Sequence, residues 1–139
     1  MSKDSNADVN FFGEKYLELI MASMAVIQYG KVVRYDSSDH TADVQPLALQ
    51  SDGSKRAMLM NCDVVMSARE WYETGADNDG EGGDGGIDIK KIHKLKAGDI
   101  VVVGFNDRDT DNFTKSGNFS LASRRMHSIQ DGVVLGVLV

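Results

Sequence analysis

The sequence is poor in cysteine, in proline and in long apolar runs, with one cysteine and one proline among 139 residues. A single cysteine, Cys62, excludes an intrachain disulfide and gives no sign of an oxidising compartment. No apolar segment approaches the roughly 20 residues that a membrane-spanning helix needs. The first ten residues, MSKDSNADVN, lack the basic start and apolar centre of a signal peptide. We therefore expect a protein made in a cytoplasm, without stable membrane insertion.

Positive charge is also in deficit. Fifteen Lys and Arg residues face 21 Asp and Glu residues, which gives a net charge of −6 and a pI of about 4.9. An acidic protein repels phosphate backbones unless its basic residues are segregated, and here they are scattered in small groups. Phe113 and Phe119 are the only aromatic residues near such a group. We therefore expect no nucleic-acid partner.

The N-terminal 25 residues form a polar tail followed by an amphipathic helix. Asn10 is a suitable N-cap, and Glu14 lies in the first turn, where the helix dipole favours an acid. Apolar residues then recur at spacings of three and four, which predicts a helix to about residue 25. This stripe comprises Phe12, Tyr16, Leu19, Ile20, Met24 and Ile27. Phe11 and Met21 lie away from it, so we expect the helix to be sandwiched between two neighbours.

The remaining residues, 26–139, are mainly β. Five segments are rich in strand-forming residues and are separated by turn residues: 26–35, 41–50, 56–65, 100–105 and 132–139. In the third, alternation places Met58, Met60, Cys62 and Val64 on one face, with Asn61 and Asp63 on the other. The fourth is apolar on both faces and should be central.

Five strands with an excursion between the third and fourth are typical of an OB-type Greek-key barrel. An SH3-like barrel would give a similar order of elements. The excursion, residues 66–95, contains the run ADNDGEGGDGGID and predicts a long Asp/Gly-rich loop. The apolar last strand should close the barrel or pack on another subunit, because an exposed apolar edge favours aggregation.

The Asp/Gly-rich loop partly matches a calcium-binding loop. Asp77, Asp79, Glu81, Gly82 and Asp88 occupy positions 1, 3, 5, 6 and 12 of that pattern. Position 12 is Asp rather than the bidentate Glu, and no convincing helix follows. We therefore favour a solvated acidic loop and predict no metal or other cofactor.

No other group of residues indicates catalysis. The three histidines, His40, His93 and His127, have no zinc-site spacing, and Cys62 should be a buried, unreactive thiol. Asp107, Asp109 and Asp111 alternate beside Arg108 in a polar segment, where we expect them to be ionised and to form salt bridges or turn caps. A catalytic acid would need a desolvated carboxyl group, so we predict a non-enzymatic protein.

Three segments carry a family resemblance: GKVVRYDSSDHTADVQPL (residues 30–47), KAGDIVVVGFNDRDTDNF (96–113) and RRMHSIQDGVVLGVL (124–138). In this order they resemble the N-terminal OB domain of central-spike proteins from phage contractile-tail baseplates. That domain has a strand pair ending in DVQP, a K-x-GD strand followed by an RD-D loop, and an R-x-H-x-x-x-D-G strand. The resemblance covers most of residues 26–139.

The resemblance implies a structural role in a phage or phage-like virion tail, assembled in the host cytoplasm. The domain would form a homotrimer on the tail axis, at the central spike or hub, in contact with hub, tail-tube and baseplate proteins. This chain ends at Val139, after the last predicted strand, without the needle of longer members. We therefore expect either a separate tip protein or a blunt tip.

Two other functions stay open: an OB-type module that binds single-stranded nucleic acid, and a tail-associated muralytic hydrolase. For the structural role we predict two sets of partner-interface residues. The helix stripe should pack on the barrel or on the hub, and three arginines should pair with acids in the barrel or across subunits. These residues are Phe12, Tyr16, Leu19, Ile20 and Met24, with Arg108, Arg124 and Arg125.

Overall fold

The computed structural model describes residues 5–74 and 89–138. The elements, in chain order, are α1 (Ser5–Ser23), β1 (Ile27–Asp36), β2 (Thr41–Pro46), β3 (Leu59–Val64), α2 (Met66–Arg69), β4 (Glu70–Thr74), β5 (Ile89–Lys94), β6 (Ile100–Phe105) and β7 (Gly132–Val137). A short 3-10 turn, Ile129–Asp131, precedes β7.

Five strands form a closed barrel in the order β1-β2-β3-β7-β6. The pairs are antiparallel except for β3 and β7, which run parallel. The prediction of a mainly β, OB-type barrel with an N-terminal helix is confirmed. The interior is filled by small and branched side chains: Val32, Ala42, Val44, Leu59, Cys62, Val64, Val101, Val103 and Val134. β6 lies between β1 and β7, with Val101, Val103 and Gly104 buried and Ile100, Val102 and Phe105 partly buried.

The prediction that Met58 and Met60 lie on the same face as Cys62 and Val64 is wrong. Leu59, Cys62 and Val64 point into the core, whereas Met58 and Met60 are exposed. The reason is a β-bulge: the β2–β3 register shifts between Ala42 and Val44, and Asn61 has a φ of 50°. The extra residue reverses the alternation halfway along the strand.

Residues 66–95 are not a loop throughout. They contain α2 and the antiparallel pair β4–β5, in which Trp71 stacks on His93 with 5.5 Å between the ring centroids. Trp71 also packs against the barrel core. Because the Asp/Gly-rich run predicted a single loop here, α2, β4 and β5 were not predicted from the sequence. The calcium-like positions Asp77, Asp79, Glu81 and Asp88 lie outside the described residues.

Helix α1 begins at Ser5, five residues before the predicted N-cap Asn10, and ends at Ser23. Its described side chains, from Val9 to Ser23, are exposed. The helix therefore projects from the barrel, and its apolar stripe does not pack on the barrel of its own chain. None of the helices in the described part of the chain is long and apolar enough to cross a membrane.

Candidate functional site

The segment between β6 and β7 contains a cluster of charged side chains, two of them buried, which we call the Arg125 cluster: Asp109, Asp111, Arg125 and Asp131. The Arg125 guanidinium contacts all three carboxylates. Its Nε and Nη2 donate to Asp131 Oδ2 and Oδ1 at 2.8 and 2.7 Å. Its Nη1 and Nη2 donate to Asp111 Oδ2 and Oδ1 at 3.0 and 2.6 Å. Asp109 Oδ1 lies 3.3 Å from Nη2.

Two of these carboxylates are removed from solvent. Asp109 is 0% exposed and Asp131 is 2% exposed, whereas Asp111 is largely exposed. The alternating polar residues around Asp109 predicted a polar loop, and no sequence pattern indicated that Asp131 would be buried. Burial of a charged carboxylate requires compensating partners, and Arg125 supplies the main one.

Neutral donors complete the cluster. Ser123 Oγ donates to Asp109 Oδ2 at 2.5 Å, and the backbone N–H of Asp111 donates to Asp109 Oδ1 at 2.7 Å. Thr110 donates to Asp131 Oδ1 through both its N–H and its hydroxyl, at 3.2 and 3.1 Å. Each buried carboxylate therefore has several hydrogen-bond donors, as a buried charge needs.

These contacts keep both buried acids ionised. The hydrogen bonds from Arg125 lower the pKa of Asp131, and Thr110 adds to the effect against the cost of burial. The hydrogen bond from Ser123 lowers the pKa of Asp109, with a further contribution from the backbone of Asp111. The carboxylates raise the pKa of Arg125 in turn. A general acid needs the opposite, a raised carboxyl pKa, so this arrangement does not favour acid catalysis.

The same three aspartates are the one group of potential metal ligands among the described residues, with ligand oxygens within 4.8 Å of one another. Arg125 already lies between them, at 2.6–3.3 Å from one oxygen of each. A cation entering the cluster would meet this positive charge. The geometry therefore fits a structural ion-pair network better than a metal site.

A third buried carboxylate, Asp43, contacts the β2–β3 bulge. Asp43 is 6% exposed; its Oδ2 accepts a hydrogen bond from Arg34 Nε at 2.8 Å. Its Oδ1 accepts a hydrogen bond from the N–H of Asn61, the bulged residue, at 2.9 Å. The Arg34 hydrogen bond lowers the pKa of Asp43, and that of Asn61 lowers it further. Asp43 thus fixes the register of three strands.

The KAGD turn, residues 96–99, joins β5 to the barrel strand β6. Asp99 Oδ2 accepts a hydrogen bond from the N–H of Lys96 at 3.0 Å, and Gly98 has a φ of 98°, which favours glycine. Backbone hydrogen bonds connect Val32 to Asp99 and to Gly98 at 2.9 and 2.8 Å. The turn therefore binds residues 96–99 to β1.

The predicted interface residues fall in different places. Arg125 makes the ion pairs expected of it, within its own chain. Arg108 and Arg124 are exposed, and neither makes an ion pair with another described residue; Arg108 instead forms a backbone bridge with Met126. The helix stripe lies on α1, where Phe12 stacks on Tyr16 at 6.0 Å.

The residues weighed for other chemistry are separated. Cys62 is buried at the core, and burial raises the pKa of its thiol to about 12. The His40 ring contacts Tyr35, the His93 ring lies 3.0 Å from Glu73, and the His127 ring lies 3.1 Å from Asp107. No histidine or cysteine belongs to a ligand cluster within the described ranges.

Phe113 and Phe119 form a tilted pair with 5.3 Å between the ring centroids, and both are about 40% exposed. They line a groove of about 320 Å³ with Arg69, Lys115 and Asp63. Lys115 Nζ lies 3.8 Å from Asp63 Oδ1, so an acid neutralises part of this basic surface.

No protein-family model matches this chain, and no curated protein sequence matches it.

Proposed function

We propose that this protein is a structural component of a phage or phage-like contractile-tail baseplate. It forms a trimeric OB platform at the central spike or hub, on the tail axis, in contact with hub and tail-tube proteins. It performs no chemistry of its own, and its cellular site is the assembling virion tail.

The observation that carries the proposal is the Arg125 cluster. Residues 96–113 and 124–138 each resemble the spike family, and they contribute opposite halves of this cluster. Asp109 and Asp111 come from the former, and Arg125 and Asp131 from the latter. The third segment, residues 30–47, is bound to the KAGD turn through Val32. The resembling residues therefore form one connected framework of the barrel, as residues with a shared structural role would.

The ionised state of the cluster supports a structural role over a hydrolytic one. The two buried carboxylates have lowered pKa values, whereas the acid of a muralytic enzyme has a raised one. The exposed apolar helix α1 further supports an assembly protein, because large unpaired apolar surfaces mark association sites.

The test is the presence and position of the protein in purified tails. Tails purified from cells that make this protein should contain the chain, and an antibody against it should label the baseplate end in electron micrographs. A variant lacking residues 1–25 should fold its barrel but fail to enter tails. Purified tails free of the protein, or normal entry of the truncated variant, would refute the corresponding part of the proposal.

One observation favours the alternative of single-strand binding: the exposed Phe113–Phe119 pair beside Lys115 and Arg69, on an OB-type barrel. Base stacking on aromatic rings next to basic groups is how such barrels bind single strands. The test is fluorescence anisotropy with labelled oligonucleotides at increasing salt. Binding that weakens steeply with salt, and is lost on Phe113→Ala, would favour this function; the net charge of −6 opposes it.

A further inference from the structure

Helix α1 presents an apolar surface that the described residues of its own chain leave uncovered. Seven of its large apolar side chains, and that of the adjoining Met24, are 40–72% exposed: Val9, Phe12, Tyr16, Leu17, Leu19, Ile20, Met21 and Met24. Helices in proteins gain most of their stability from packing of an apolar face rather than from local propensity. The helix therefore needs a partner surface.

A short connection, held by backbone hydrogen bonds, joins α1 to the barrel. Three residues separate Ser23 from Ile27. Within them, the N–H of Ala25 donates to the carbonyl of His127 at 2.9 Å, and the carbonyl of Val26 accepts from the N–H of Phe105 at 3.1 Å. Ala25 is also buried. The chain is thus fixed to the barrel directly after the last turn of the helix, and the exposed face of the helix is open to another molecule.

The width of the apolar surface indicates how many neighbours the helix has. At 100° per residue, the eight side chains cover an arc of about 200°, from Leu19 through Ile20 at its centre to Met21. One packed neighbour needs a stripe of about 100°. An arc of about 200° therefore fits a helix with two neighbours, one on each half of the arc.

The distribution of charge favours copies of the same helix as those neighbours. No described residue within the arc is charged, so identical arcs can pack without placing like charges together. The charged residues Glu14, Lys15 and Glu18 lie on the opposite side, where Lys15 Nζ and Glu18 Oε2 are 3.5 Å apart. Three is the smallest closed ring in which each helix has two neighbours of its own kind.

We propose that three copies of this chain associate through α1, which forms a parallel three-helix bundle on the three-fold axis with Ile20 facing the axis. The bundle, rather than the barrel, is then the main contact between copies. This inference deepens the proposed function by naming the trimer interface, and it rests on that function for its place on the tail axis.

Disulfide trapping tests the bundle in the full-length protein. Ile20→Cys places thiols near the axis, close enough for a disulfide, which needs Cα atoms about 4.4–6.8 Å apart. Mild oxidation should convert up to two of every three chains into covalent dimers. Glu18→Cys, on the outer face, is the matched control and should give about tenfold less dimer. Native Cys62 is buried and does not compete.

The solution mass is the second measurement. By light scattering, the unmodified protein should have three times the 15.2 kDa of one chain. Ile20→Asp should reduce it to a monomer with an unchanged barrel, since Ile20 lies on α1, outside the barrel strands. Ala22→Asp on the outer face should stay trimeric. Equal cross-linking of both cysteine variants, or a trimer that survives Ile20→Asp but is lost on Tyr29→Lys at the barrel surface, would overturn the proposal.

The α1 bundle and the proposed function in the tail can be refuted independently of each other. A monomeric protein that enters tails would refute the bundle and would leave another tail protein as the partner of α1, with the structural function intact. A trimer held by α1 that is absent from purified tails would refute the proposed function and leave the bundle in place.

Discussion

Replacing Asp131 by asparagine tests whether the Arg125 cluster holds the barrel together. The substitution keeps the shape of a side chain that is 2% exposed but removes the charge that faces Arg125. Breaking a buried ion pair costs about 3–5 kcal/mol. Because Arg125 keeps Asp111 and Asp109 as partners, we expect the low end, a loss of about 3 kcal/mol in the free energy of unfolding at pH 7.

Urea unfolding followed by circular dichroism measures this loss. The midpoint concentration should fall while the slope stays the same, because the native fold is preserved. In a thermal scan the loss corresponds to a decrease of about 10 °C in Tm. Asp39→Asn is the matched control: the same chemical change at an exposed turn residue should alter stability by less than about 0.5 kcal/mol.

The pH dependence follows from the lowered pKa of Asp131. A carboxyl group with a lower pKa in the folded state stabilises the fold above its unfolded pKa of about 3.9, and the stabilisation is lost as the pH falls through the folded value. The difference between the natural protein and Asp131→Asn should therefore be largest at neutral pH and shrink below about pH 4. A difference under about 1 kcal/mol at pH 7, or one that stays constant to low pH, would refute this reasoning.

Two further predictions concern the barrel interior. A Cβ atom added at Gly30 would overlap Val44 Cγ1, whereas one at Gly136 would meet no atom within 4 Å. Gly30→Ala should therefore destabilise the protein by about 1–3 kcal/mol and Gly136→Ala should be nearly neutral, as compared by urea unfolding; equal effects would contradict the close packing of β1 on β2. Burial raises the pKa of the Cys62 thiol to about 12, so a thiol reagent at pH 8 should modify it only on unfolding, and rapid modification of the folded protein would show that β3 opens.

Much of the fold could be predicted from local patterns. Five β-rich segments separated by turn residues predicted five barrel strands, and β6 matched its predicted bounds, Ile100–Phe105. The 3.6-residue period predicted α1, although its start was placed five residues late. These features depend on interactions between residues close in sequence, which is why periodicity reveals them.

The candidate site could be predicted only in part. The resemblance identified the segments that hold Asp109, Arg125 and Asp131, and salt bridges were expected for the aspartates near Arg108. The partner turned out to be Arg125, 14 residues beyond Asp111. Nothing in a run of alternating polar residues indicates which carboxylate will be buried, because burial depends on which distant residues pack over it in the folded chain.

The sequence by itself determined which segments form the barrel strands and where turns separate them. It also determined that the helix has more apolar surface than one neighbour can cover. Only the tertiary structure decided which residues meet. The bulge at Asn61 turned Met60 outward, and the closing pair of β6 and β7 brought Asp109, Arg125 and Asp131 together. The physical reason is that propensity and periodicity act between neighbours in sequence, whereas bulges and buried ion pairs arise from contacts made only when the barrel closes.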